Sequence, residues 1–314
     1  MCAWLLGLKE IGYVDMVMMV LKSLVLPVLA GGGVIALSWL LPPLKKWTWL
    51  GAWAFGLAIS VAVFGSWIAE NGVPRFPVES RLHWIGILAF LAAIYAALAA
   101  LTGAREFPVP QITAVLAGGI VALAPLIDGW GGGKGRVFFA DMEVADQVAL
   151  GLAIGLGYLA LLGVTERRKG ITLPFSLAIA FTGLAILAEN AGWISMTFVL
   201  AAVAGTAFIA GIVARFGGSP SIGRGGLLAT CVLLTVLPVA TYRQAYHEIP
   251  WWAILLVAGA PLVLLPLEIK VMEKMPPWSQ ALLRIVCVAI LVGLGLVFGL
   301  SGGQAGDEMM SIYQ

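Results

Sequence analysis

The sequence predicts an all-α, polytopic transmembrane helical bundle of about ten helices arranged as five hairpins. Three observations carry this. Charged residues are 11% of the 314-residue chain and hydrophobic ones 61%, against about 25% charge in soluble domains. Apolar runs of bilayer length recur from end to end. Acidic turns marked by Glu70, Asp128, Glu189, Glu248 and Asp307 are 58, 61, 59 and 59 residues apart. Basic turns at Lys45 and Lys46, Arg105, Arg167 and Arg168, Arg224 and Arg284 fall between them.

A spanning helix needs about 20 apolar residues. The sequence places crossings at 23–41, 49–68, 82–101, 110–127, 146–164, 171–188, 193–213, 225–241, 250–268 and 280–300. This gives an N-terminal segment 1–22, a single transmembrane domain 23–300 and a polar C-terminal tail 301–314. The first crossing runs to Leu41 and stops at Pro42, Pro43 and the lysine pair. Met16, Met18 or Met19 offer alternative starts before Lys22, and Val28-Leu29-Ala30 satisfies a small-residue cleavage pattern. The continuous apolar run favours a full crossing over a cleaved leader.

Lys and Arg counts orient the bundle. The turns after odd-numbered crossings hold 11 of the 18 basic residues and the opposite side holds 7. The basic turns are therefore expected in the cytoplasm, with both termini outside, in the cytoplasmic (inner) membrane. Trp67, Trp84, Trp130, Trp193, Trp251 and Trp252 would then form an outer belt, and Trp47, Trp49 and Trp278 an inner one.

The sixty-residue rhythm follows largely from the length of a helical hairpin. One similarity goes further. Phe55-Gly56-Leu57-Ala58-Ile59 with Ala69-Glu70-Asn71-Gly72 matches Phe175-Ser176-Leu177-Ala178-Ile179 with Ala188-Glu189-Asn190-Ala191-Gly192. A duplication of hairpins would produce it, in parallel rather than inverted register.

The chemistry-bearing residues are few. Glu70, Asp128, Glu189 and Asn190 stand at predicted outer helix ends, where acids form a vestibule for cations or simply meet water. No carboxylate falls at the middle of a crossing, which argues against a carboxylate proton relay. Sodium held by carbonyls at a broken helix stays open. Pro125, Pro174, Pro238, Pro261 and Pro266 fall inside crossings, and each removes a backbone donor. Pro174 and Pro261 are the candidates for a broken-helix substrate site, and the ninth crossing is expected to be the most irregular. Hydroxyls at Ser60, Ser66, Thr182, Thr206, Thr230 and Thr235 line a cavity or bond to their own helices.

Small-xxx-small spacings at Gly151/Gly155 and Gly295/Gly299 suit close helix packing. Gly131–Arg136 lacks the phosphate-loop frame. The glycine-rich stretch 217–226 reads as a connector that offers Arg224 to a lipid phosphate. His83 and His247 lie on one side without further metal-ligand spacing, and Cys2, Cys231 and Cys287 form no cysteine motif. No cofactor, metal or catalytic group is expected, nor a basic surface for nucleic acid. Two functions fit: a permease or channel for a small neutral or weakly cationic solute, or a non-catalytic subunit packed in a larger membrane complex. The bilayer is the partner in either case.

Overall fold

The computed structural model describes residues 13–41, 48–72, 94, 144–167, 170–216, 222–243, 249–268 and 275–312, and among these the secondary structure is entirely helical. The first rod comprises α1 (Tyr13–Val20), a π-helical turn (Leu21–Val25) and α2 (Leu26–Leu40). It is followed by α3 (Thr48–Asn71), α4 (Val144–Arg167), α5 (Thr172–Asn190), α6 (Ile194–Phe216) and α7 (Gly223–Arg243). The short α8 (Trp251–Gly259) continues as a 3-10 turn (Ala260–Leu264), and α9 (Pro277–Ile312) closes the chain. Seven helices are long and apolar enough to cross a membrane, and Trp251–Leu264 is a shorter apolar one. They overlay eight of the ten expected crossings. Segments 82–101 and 110–127 lie outside the described residues except for Ile94.

The boundaries differ at both ends. The first apolar span reaches back to Asp15, so Lys22 lies inside it with an exposed side chain. A lysine stem of that length lies along apolar surface while the amine reaches the polar boundary. At the other end α9 continues helically through the expected tail to Ile312.

The core runs through α3, α5, α6 and α7, with Phe55, Ile59, Phe181, Leu184, Leu200, Val203 and Leu237 buried. The π turn and α2 pack on α3 and α6, α4 packs on α7, and α9 packs on α5 and α8. Glycine sets several of these approaches. A Cβ at Gly31 would lie 2.8 Å from the Ala58 carbonyl oxygen and 2.9 Å from Thr206 Oγ1. One at Gly183 would lie 2.5 Å from Val292 Cγ1 and 2.9 Å from Val257 Cγ1, locking α5, α8 and α9 together. Gly295 and Gly299 meet Val257 and Leu187 in the same way. Gly225 and Gly226, expected in a connector, belong to the first turn of α7 and receive α3 at Gly56.

Helix ends explain the matching segments. Gly72 has φ 77°, and its N–H donates to the Ile68 carbonyl at 2.8 Å. Gly192 has φ 79° and donates to Glu189, while Trp193 donates to Ala188 at 3.0 Å. Both are left-handed glycine caps, the second a Schellman motif. The shared Glu-Asn start of these endings runs into a glycine cap in both helices, so capping alone accounts for the similarity at the ends.

Tryptophan placement divides. Trp251, Trp252 and Trp278 are exposed, as an interfacial belt requires. Trp67 and Trp193 are instead buried inside the bundle.

These packings predict an asymmetry between neighbouring glycines. Gly31→Ala meets a backbone oxygen that cannot rotate away and should cost about 1–3 kcal/mol. Gly33→Ala, with nothing within 4 Å, should be neutral or stabilising by up to about 1 kcal/mol. Thermal unfolding of the purified protein in detergent compares the two.

Candidate functional site

A cavity of about 640 Å³ opens between α4, α7 and α8 with its 3-10 turn. Its existence follows from residue size. Ala149, Ala153 and Gly157 recur at four-residue spacing along one face of α4 and line it. Ala258 and Gly259 line the opposite wall. A Cβ added at Gly157 or at Gly259 would meet no atom within 4 Å. Gly157 therefore faces the void rather than a packed neighbour.

Two breaks in backbone hydrogen bonding border this void. Pro238 lies inside α7 and lines the cavity. Its missing N–H deprives the Leu234 carbonyl of its intrahelical donor, and Leu234 lines the cavity too. In α8 the α-helical ladder ends at Gly259, and Pro261 stands in the 3-10 turn that follows. Ala260 N–H donates back to Val257, and Leu265 N–H to Leu262 at 3.0 Å, both with three-residue spacing. This element is thus irregular, as Pro261 and Pro266 predict, and at Trp251–Leu264 shorter than a full span. The remaining walls are mostly apolar. Tyr242 and Trp251, both exposed, stand at one end, and Leu161, Pro261 and Leu262 at the other.

The 3-10 wall is fastened from behind. Arg284, 2% exposed, pairs with Glu268 at 3.3 Å and donates to the Leu267 carbonyl and to Gln280 Oε1 at 3.4 Å each. Gln280 Nε2 in turn donates to the Met275 carbonyl at 2.7 Å. This network ties the end of the broken segment to α9. The charge pattern predicts Arg284 in a basic turn facing water; it is instead a buried charge. Its partner Glu268 is 16 residues away, across the turn between α8 and α9, beyond any local motif.

The sequence-predicted site residues do not converge on one place. Pro261 lines the cavity. Pro174 is buried elsewhere and is the third residue of α5, so it breaks no hydrogen bond: first-turn N–H groups have no intrahelical acceptor. The chain enters α5 through Gly170 at φ 103°, which sets the helix start just ahead of that proline. Glu189 is exposed and Asn190 half-buried at the end of α5. Glu70, half-buried at the end of α3, accepts a hydrogen bond from Ser23 Oγ in the π turn. The matched acids Glu70 and Glu189 therefore have different surroundings. Asp128, Pro125, His83 and His247 lie outside the described residues.

Seven hydroxyls serve their own helices. Thr165, Ser176, Thr182, Thr197, Thr230, Thr235 and Thr241 each donate to the carbonyl four residues earlier, at 2.7–3.2 Å. Thr235 is the one of these that lines the cavity. Among the described residues no group of three His, Cys, Asp or Glu is placed to hold a metal ion. The arrangement offers an apolar chamber with an underused backbone carbonyl, aromatic groups at one end and no acid–base pair.

Breaking the rear network should loosen that wall. Arg284→Ala leaves Glu268 largely buried without its cation and should cost about 3 kcal/mol or more. The double replacement Arg284→Met with Glu268→Leu should recover most of this, because both charges leave together. Thermal midpoints of the three forms check it.

The chain matches no known protein family, no curated protein and no solved structure.

Proposed function

We propose that this is a multi-pass membrane permease for a small, uncharged and largely apolar solute, which occupies the cavity between α4, α7 and α8. The observation that carries the reading is the coincidence of that cavity with the two backbone breaks at Pro238 and Ala260–Leu264. Broken helices at a chamber supply carbonyl groups for a polar end of a solute and points about which walls move. The volume falls within the range of about 300–1,000 Å³ typical of small-molecule sites. The mostly apolar lining favours a neutral solute over a cationic one.

In this reading about ten helices cross in five hairpins, with basic turns in the cytoplasm. The Tyr242 and Trp251 end of the chamber then faces outside. The alternative is a non-catalytic subunit of a larger membrane complex. It draws on the outward side of α9, where Leu282, Val286, Ile290, Leu294 and Val297 are exposed. Bilayer lipid covers such a surface equally well, and that reading gives the chamber no role.

The permease reading makes the chamber reachable. With Cys2, Cys231 and Cys287 replaced by Ala, cysteines introduced as Gly157→Cys and Ala258→Cys should react with small water-soluble thiol reagents in intact membranes. Adding Gly157→Phe to the Ala258→Cys form should strongly slow its reaction, since the ring enters open space. Complete protection of both cysteines in folded protein contradicts the proposal.

A further inference from the structure

The seam between the first rod, α3 and α6 contains a second polar locus, remote from the chamber. Ser23 is 1% exposed and sits in the π turn Leu21–Val25, which packs on both α3 and α6. Its hydroxyl donates to the carboxylate of Glu70. One turn deeper on the same face of α3 lies Ser66, fully buried. Its Oγ has no hydrogen-bond partner.

That contrasts with seven other hydroxyls of the protein. The seven hydroxyls that bond to a carbonyl one turn back show how an idle hydroxyl in a helix satisfies itself. Ser66 has the same option and does not take it. Leaving a buried hydroxyl unmatched costs about 1–3 kcal/mol. Among the described residues no cation partners Glu70, and Lys22 beside Ser23 is exposed. Thr206 Oγ1 is also without a partner, but it lies deeper, against Gly31. Eight residues of helix, about 12 Å, separate Gly31 from Ser23.

A π turn widens the ladder from four-residue to five-residue spacing, as in the Leu26 N–H to Leu21 carbonyl bond. Such turns expose backbone carbonyls and occur often at functional sites. Ser23 Oγ and the Glu70 carboxylate meet here, and Ser66 Oγ lies one helical turn before Glu70 on α3, so the donors on offer are one carboxylate and two hydroxyl oxygens beside the π turn. Oxygen-only donors suit a hard cation. A single carboxylate is neutralised by a single positive charge, which a partly buried site favours over a divalent ion.

We infer that Ser23, Ser66 and Glu70 form a sodium-binding site at the π turn. It does not depend on the chamber or on the permease reading. The test is thermal unfolding of the purified full chain in detergent, in sodium chloride against choline chloride at equal concentration. A ligand that binds only the folded state raises the midpoint. Sodium should raise it by about 3 °C or more. The rise should vanish in Glu70→Gln and in Ser66→Ala, and persist in Glu189→Gln, whose carboxylate is exposed. If Glu70→Gln does not fold, Ser66→Ala decides alone. Equal midpoints of the unaltered protein in the two salts overturn the inference, and so does a sodium-specific rise that survives in either site variant.

Discussion

In apolar surroundings every backbone N–H and carbonyl must find its partner within the chain, because no solvent supplies one. That constraint makes each described element helical and gives the places where the ladder fails their interest. Among the described residues there are three: the π turn at Leu21–Val25, Pro238 within α7, and the passage from α8 to 3-10 geometry at Ala260–Leu264. None is isolated. The first adjoins the Ser23–Glu70 contact, and the other two adjoin one chamber. Departures from the regular ladder and the sparse polar chemistry of this chain coincide.

Packing around these breaks depends on side-chain size rather than polarity. With lipid outside as apolar as leucine inside, helices gain by fitting closely. Gly31, Gly183, Gly295 and Gly299 let neighbouring side chains or backbone come within the space a methyl would need. Gly157 and Gly259 are the reverse case, with nothing beside them. The same residue type closes one interface and opens another. Arg284 and Glu268 add the polar fastening that apolar contacts lack, holding the 3-10 segment to α9.

Much of the architecture was legible in the sequence. Apolar runs bounded by charged or glycine-rich turns located the long helices, because bilayer thickness fixes their length. Pro261 and Pro266 marked the irregular helix, since neither can donate to the ladder. What was not legible depended on contacts distant in sequence or on exact helix starts. Pro174 falls inside an apolar run yet stands in the first turn of α5, where the N–H it lacks has no intrahelical acceptor. Trp67 and Trp193 carry the same indole as Trp251, yet packing draws them inward. Glu70 and Glu189 share a local motif that encodes a glycine cap. Ser23, 47 residues from Glu70 in sequence, distinguishes them. The small-residue spacing legible on α4 was Gly151/Gly155, whereas the chamber wall is the other face, Ala149, Ala153 and Gly157, which only the missing neighbour reveals.

If the breaks in α7 and α8 border a space accessible from outside the packed bundle, their amides are open to solvent. Amide hydrogen exchange of the protein in lipid nanodiscs tests it most directly. Exchange should be faster at Leu237, Val239 and Val257–Leu265 than at the buried middle of α5 and α6. Equal and complete protection of the α8 break and of the α5 and α6 centres would contradict it.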